Sequence, residues 1–246
     1  MTDIDIIVLG GATFVASFIK GGAGMGAGLF LQPTLTLIFD PFTALALCSP
    51  ILLFSDSAGI LFYWRQWVHA RQLVLLLAGC VLGAGLGVLT VPFVTPEIMK
   101  VVVGLCGLVF VASKVITFKK TTPTSSASPI LLFVVCVLGG FFNSVANAGG
   151  IFFAYCCLRM NLPPRTFVST VVIVVLTTSI LKVPGYVAIG LLSMEQLMYC
   201  LPLLPVVILG GLLGSYVNKH LNPRVFRTLV LIIIGIMSGS TLLSLV

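Results

Sequence analysis

The stretch Ile19-Lys-Gly-Gly-Ala-Gly-Met-Gly-Ala-Gly28 interrupts an apolar run that extends over residues 6–39. A single membrane-spanning helix needs only about 20 residues, so this run is too long to be one simple span. Each glycine costs roughly 1 kcal/mol in a helix interior, so this glycine cluster predicts that the helix breaks here. Irregular backbone at membrane depth is tolerated only beside protein or a water-filled cavity. The stretch therefore predicts a broken helix next to a cavity.

Lys20 lies beside this break, deep inside the apolar run. An ammonium group at the membrane centre costs roughly 2.5–3.5 kcal/mol on insertion scales, so Lys20 is expected to have a partner or a ligand. The alternative is a lysine whose side chain extends to the membrane interface. A broken helix with a buried cation favours an anion site, because helix ends present free backbone N–H groups. The residues predicted to contribute here are Lys20, Gly21, Gly22, Gly24 and Gly26.

The composition is that of a multi-pass membrane protein. Of 246 residues, 59% are hydrophobic and 8% are charged, and the mean hydropathy is +1.23. A soluble domain carries about 25% charged residues, so we predict an all-α polytopic protein of the inner (plasma) membrane. Asp3 and Asp5 precede the first apolar segment where a signal peptide has basic residues, so no cleaved signal is expected. The net charge of +7 is typical of basic cytoplasmic loops rather than of nucleic-acid binding.

The sequence contains few residue patterns that are typical of an enzyme. The seven cysteines fall in apolar runs without C-x-x-C spacing, which favours buried hydrophobic side chains over disulfides or metal ligands. No metal-ligand spacing, phosphate-binding loop or pairing of a nucleophile with a base is present. We therefore expect no cofactor, no metal and no catalytic residue.

Eight apolar segments follow one another along the chain. They cover residues 6–39, 43–63, 72–91, 98–118, 130–158, 167–189, 196–217 and 225–246, and the first and fifth are broken by glycines. A stretch rich in Pro, Ser and Thr is the one linker. We predict a first transmembrane repeat at 1–118, a cytoplasmic linker at 119–129 and a second transmembrane repeat at 130–246.

The two halves resemble each other in their glycine and proline positions. Gly28-Leu-Phe-Leu aligns with Gly150-Ile-Phe-Phe, and in the same register Pro41 aligns with Pro163. With one small gap, Leu82-Gly-Ala-Gly-Leu-Gly87 aligns with Leu209-Gly-Gly-Leu-Leu-Gly214. An internal repeat of this kind is typical of many transporter folds.

Charge placement indicates that the halves have opposite orientations. If both broken segments crossed the membrane completely, the basic loops of the second half would face outside, against the positive-inside rule. If each segment turns back at its break as a re-entrant hairpin, every basic loop is cytoplasmic and the acidic ends face the other side. The basic residues are Arg65, Arg71, Lys114, Lys119, Lys120, Arg159, Arg165, Lys219, Arg224 and Arg227; the acidic ones are Asp3, Asp5, Asp40, Glu97 and Glu195. We therefore predict two inverted repeats, each a re-entrant or broken helical hairpin plus three transmembrane helices.

The second break supplies amides where the first supplies a lysine. The candidate substrate-binding residues here are Asn143, Ser144, Asn147, Gly149 and Gly150. Their side chains and free N–H groups suit an oxyanion at the tip of the hairpin. The alternative for the two asparagines is hydrogen bonding between helices.

Asp56 is the one acidic residue deep inside an apolar segment, and Lys182 is a second deep cation. An intramembrane carboxylate should be paired or protonated. The open alternatives for Asp56 are an ion pair with Lys20 or Lys182, a proton-coupling group, or a neutral acid bonded to a neighbouring helix. The repeat aligns Asp56 with Thr178, so Thr178 and Lys182 are expected near the same cavity, although Lys182 reaching the interface is an equal alternative.

The chain resembles the sulfite exporter TauE/SafE family. The resemblance rests on the glycine break, on Pro33, on the small residues at 44–49, and on Asn147-Ala-Gly-Gly150 and Leu162-Pro-Pro-Arg165. It implies transport of sulfite, of sulfonates such as sulfoacetate, or of related small sulfur-containing anions. The stretch Asn143-Ser-Val-Ala-Asn147 departs from the family, which often has more glycine there, so the two hairpins are expected to contribute unequally.

We therefore predict a secondary transporter, acting as an exporter, that moves sulfite or a small organosulfonate by alternating access. Proton coupling is left open, as is a homodimer. The alternatives are an anion channel on the same scaffold, a transporter of another small sulfur-containing or carboxylate anion, or, in a different class, a membrane-embedded enzyme or assembly subunit. The expected partners are a small anion and the lipid bilayer.

Overall fold

A computed structural model describes residues 3–62, 67–117, 128–220 and 223–245, which form helices and no strand. Most of the predicted linker and residues 63–66 lie outside these ranges. The helices are α1 (Asp3–Ala23), α2 (Ala27–Thr36), α3 (Pro41–Phe62), α4 (Ala70–Thr90), α5 (Pro96–Thr117), α6 (Pro129–Ala146), α7 (Gly149–Arg159), α8 (Pro164–Ala188), α9 (Met194–Cys200), α10 (Leu204–His220) and α11 (Pro223–Leu243).

The protein is an all-α polytopic membrane protein. Six stretches of the described helices are long and apolar enough to cross a membrane. They are Pro41–Gly59, Ala70–Phe93, Pro96–Ser113, Pro129–Ala146, Arg165–Ala188 and Met194–Val217. All seven cysteines are free and six of them are buried, as the apolar context predicts.

Both predicted breaks are present. In the first half, Gly24 and Gly26 have φ angles of 74° and 97°. These left-handed values favour glycine because it has no Cβ. In the second half, Asn147 has a φ angle of 51° and ends α6, and asparagine is among the few other residues that tolerate this conformation.

Each broken segment has one long arm and one short arm. The long arms α1 and α6 contain 21 and 18 residues, whereas the short arms α2 and α7 contain 10 and 11. At a rise of about 1.5 Å per residue, the long arms approach the roughly 30 Å thickness of the hydrocarbon core and the short arms reach about half of it. The re-entrant course of each hairpin stays a prediction.

The long arms pack closely on helices of the opposite half. A Cβ on Gly214 of α10 would collide with the backbone of Phe18 in α1, and a Cβ on Gly83 of α4 would collide with the backbone of Val137 in α6. Two matching contacts therefore exist, α1 on α10 and α6 on α4, and glycine permits the close approach in both.

Matching helices of the two halves pack in antiparallel fashion. Their contacts run in opposite order along the chain: Asp56 with Ser179 and Gly59 with Val172 between α3 and α8, and Gly104 with Leu242 and Gly107 with Ser238 between α5 and α11. An inverted repeat requires such antiparallel pairs, because equivalent helices must cross the membrane in opposite directions. The inverted orientation of the two halves in the membrane stays a prediction.

Some of the charged residues lie at opposite ends of the described helices. The Val68 N–H donates to Thr170 Oγ1 over 3.1 Å, so the start of α4 lies beside the first turns of α8. Arg71, Arg159 and Arg165 therefore lie near one end of the helices, whereas Asp40 precedes the opposite end of α3. The remaining predicted cytoplasmic residues, Arg65, Lys114, Lys119, Lys120, Lys219, Arg224 and Arg227, lie outside the residues whose side chains are described.

Candidate functional site

The two helix breaks contact each other. Gly28, near the start of α2, packs directly on Asn147 at the end of α6. A Cβ on Gly28 would lie 2.5 Å from the Asn147 carbonyl oxygen and 2.9 Å from the Asn147 Cβ. The Asn147 Nδ2 group also donates to Gln32 Oε1 over 2.9 Å. The break of one half is therefore fixed against the short arm of the other.

A cavity of about 50 Å³ opens where these breaks meet. A water molecule needs roughly 10–15 Å³ of such space, so the cavity has room for a few waters or a small anion. Leu52, Val171, Val172 and Val175 supply apolar walls. The predicted site residues that line it are Lys20, Gly24, Gly26, Asn143, Asn147, Gly150, Lys182 and Asp56.

The other predicted site residues are not among those that line the cavity. A Cβ on Gly21 would collide with the backbone of Gly211 in α10, so this glycine serves helix packing, while Gly22 lies beside it in the last turn of α1. A Cβ on Gly149, the first residue of α7, would lie 2.6 Å from the Gly139 carbonyl oxygen, so this glycine packs directly on α6.

Ser144 and Thr178 are fully buried next to the cavity-lining asparagines. The carbonyl oxygen of Ser144 accepts a hydrogen bond from Tyr186, whereas its own hydroxyl has no partner among the described residues. Thr178 Oγ1 accepts from Asn143 Nδ2 over 2.6 Å and donates to the Val175 carbonyl. Both residues hold helix α6 against α8.

Lys20 and Asp56 form an ion pair at the edge of the cavity. Their side chains are 13% and 1% exposed. The Asp56 Oδ2 atom also accepts a hydrogen bond from Ser179 Oγ over 3.0 Å. Of the two lysines that the sequence offered to Asp56, the structure joins it to Lys20, and the contact connects α1, α3 and α8.

Lys182 is fully buried and faces neutral acceptors. Its Nζ donates to Asn147 Oδ1 and, over 3.4 Å, to the carbonyl oxygen of Asn143. Within the described residues, the one ion pair at the cavity is that of Lys20 with Asp56. When both lysines are ammonium groups and Asp56 is a carboxylate, the charges of Lys20 and Asp56 cancel. Lys182 then gives the site a net charge of one positive unit.

The starts of α2 and α7 add partial positive charge. Their N-cap residues, Gly26 and Ala148, make no side-chain cap, so the N–H groups of the first two residues of each helix have no capping acceptor. The next N–H group of α7, that of Ile151, donates to the Ala148 carbonyl over 3.4 Å. Gly26, Gly28 and Gly150 all line the cavity. A helix N-terminus favours anions, so these dipoles reinforce the lysine.

In each half, one side-chain contact connects the end of the long arm to the long helix that follows the short arm. We call this contact the joint. The register that aligns Gly28 with Gly150 also aligns Asp56 with Thr178. In each half this position bonds the end of the long arm: Asp56 bonds Lys20, and Thr178 bonds Asn143. The joint is charged in the first half and neutral in the second.

Sequence reasoning did not single out Gln32 and Tyr186. Gln32 is fully buried, and its Nε2 has no partner within the described ranges. Tyr186 is also fully buried and donates its hydroxyl proton to α6. An amide inside an apolar helix one turn after the break was the available signal for Gln32, whereas Tyr186 resembles an ordinary aromatic of a membrane helix.

Comparison with known proteins identifies one family. A family model described as sulfite exporter TauE/SafE matches residues 9–241. The match includes both breaks and the three charged residues of the cavity. No curated protein and no solved structure matches the chain.

Proposed function

Because the chain belongs to the sulfite exporter TauE/SafE family, we propose that it is a secondary transporter that exports sulfite or a small organosulfonate. The family implies a membrane anion exporter, which favours transport over catalysis. The observation that carries the proposal is the partly enclosed cavity at the meeting point of two helix breaks, with one excess positive charge. We place the protein in the inner (plasma) membrane.

The anion is proposed to bind in this cavity. Lys182 supplies the full positive charge, and the free N–H groups at the starts of α2 and α7 supply directional donors. Asn143 and Asn147 orient Lys182 through their oxygen atoms. We assign substrate contact to the predicted binding residues that line the cavity, ion pairing to Asp56, and support of the lining residues to Gly21, Gly22, Ser144, Gly149 and Thr178.

Alternating access is proposed to move the tightly packed helix pairs relative to each other. The α1–α10 and α4–α6 pairs are locked by glycine contacts, so each is expected to move as a unit. Hydrogen bonds at the cavity, from Asn147 to Gln32 and from Ser179 to Asp56, connect the two halves. A rocking motion of one half against the other would break and re-form these two hydrogen bonds.

Transport of ³⁵S-labelled sulfite into proteoliposomes tests the proposal. We expect saturable uptake that is accelerated by unlabelled sulfite on the opposite side of the membrane. Lys182→Gln should abolish it, whereas Arg71→Gln, which removes a charge at an exposed position on α4, should not. Uptake without acceleration would indicate a channel, and stabilisation of the purified protein by carboxylates but by no sulfur anion would contradict the substrate.

A further inference from the structure

Three charged side chains line the cavity among the residues described: Lys20, Asp56 and Lys182. They approach it from α1, α3 and α8, and the other lining residues are uncharged. Two ammonium groups and one carboxylate give a sum of one positive charge. The inference drawn from this sum rests on the proposed anion transport.

The charges are largely removed from water. The side chains of Lys20 and Asp56 are 13% and 1% exposed, and Lys182 is 0% exposed. A net charge in such surroundings is unfavourable unless a counter-charge is present. The bound ligand is therefore expected to bring the sum close to zero.

We propose that Asp56 sets the charge of the site and thereby selects oxyanions with a single negative charge. A monovalent organosulfonate, or sulfite in its singly protonated form, neutralises the site. A dianion such as sulfate leaves one uncompensated negative charge unless a proton enters with it. Asp56 thus selects by charge, while the helix ends and amides contribute hydrogen bonds.

The second half shows that the joint itself needs no charge. Asn143, one residue beyond the position that matches Lys20, bonds Thr178, which matches Asp56, and this contact connects α6 to α8 with neutral groups. A charged pair in the first half is therefore not required to connect α1 with α3. In addition, the Asp56 carboxylate of this pair lowers the net charge of the cavity by one.

Variants that change the charge of the site test this role. Asp56→Asn raises the sum to two positive charges, and Lys20→Gln lowers it to zero. The double variant Lys20→Asn with Asp56→Thr keeps the sum at one and copies the neutral joint of the second half. Each purified full-length protein is titrated with methanesulfonate and with sulfate at constant ionic strength, and binding is measured calorimetrically.

The wild type should bind methanesulfonate more tightly than sulfate. Asp56→Asn should shift the ratio of the two dissociation constants toward sulfate by at least about tenfold, because the extra positive charge attracts a dianion more than a monoanion. Lys20→Gln should shift it the opposite way, and this variant carries the test if Asp56→Asn does not fold. The double variant should keep the wild-type ratio.

The outcomes separate the two proposals. If the single variants keep the wild-type ratio, or if the double variant shifts as Asp56→Asn does, charge selection by Asp56 is wrong while anion transport stands. If neither anion, nor sulfite, binds the wild type, the proposed function fails and charge selection fails with it.

Discussion

Gly28 and Gly150 occupy matching positions in the two halves, yet only Gly28 is covered by a neighbour. A Cβ on Gly28 would lie 2.5 Å from the Asn147 carbonyl oxygen, whereas a Cβ on Gly150 would meet no atom within 4 Å. Both glycines line the cavity, but Gly28 also forms the contact between the halves, whereas the space beside Gly150 is open.

Alanine at these two positions should therefore have different effects. Gly28→Ala must displace backbone, and overpacking of this kind costs about 1–3 kcal/mol of stability. Gly150→Ala should fold normally, narrow the cavity and slow transport of larger sulfonates more than that of sulfite. Thermal unfolding in detergent and uptake into proteoliposomes measure the two effects. Equal thermal stability of the two variants would contradict this assignment.

The neutral joint of the second half should stabilise the fold. Thr178→Val leaves the buried Asn143 Nδ2 without its acceptor, which costs about 1–3 kcal/mol. Thr177→Val is the matched control, because the Thr177 hydroxyl donates to the Ile173 carbonyl of its own helix. We expect a lower thermal unfolding midpoint for Thr178→Val alone. An equal decrease of the midpoint in both variants would show that the hydrogen bond between Asn143 and Thr178 does not specifically stabilise the fold.

Gln32 should influence anion affinity from a distance. Gln32→Leu removes the acceptor for Asn147 Nδ2, and Asn147 in turn holds Lys182. We expect KM for sulfite to rise several-fold because Lys182 loses its fixed position. Gln72→Leu replaces an exposed glutamine of α4 and should leave KM unchanged. A wild-type KM in the folded Gln32→Leu protein would exclude this indirect role.

The predicted orientation can be measured in intact cells. Asp40, Glu195 and Arg71 are exposed, and the native cysteines are mostly buried, so single cysteines at these positions should report accessibility. Asp40→Cys and Glu195→Cys should react with a membrane-impermeant maleimide from outside. Arg71→Cys should react only after permeabilisation. Labelling of all three from the same side would refute the opposite placement of these charges.

The positions of the helices and breaks follow closely from local signals. Glycine and proline mark backbone that cannot continue a helix, and apolar runs mark the spans. The first break is nevertheless shorter than the glycine stretch suggests, because α1 continues through Gly21 and Gly22. Gly21 stays helical where it meets the backbone of α10, a contact between distant parts of the chain that no local pattern reveals.

The partners inside the cavity were less predictable. Spacing alone gave Asp56 two possible lysines, because the choice depends on how α1 and α8 are rotated around α3. Lys182 was equally consistent with the interface, yet it is fully buried against the amides of the second break. These pairings depend on side-chain geometry between helices, which apolar periodicity does not encode.

The unequal joints also bear on the direction of transport. In a carrier built from two inverted copies, exchanging the conformations of the copies converts the inward-open state into the outward-open one. Identical copies would make these states equal in energy. Here one copy holds its long arm with Lys20 and Asp56, and the other with Asn143 and Thr178. The empty carrier is thus expected to rest with its binding site open toward one preferred side of the membrane.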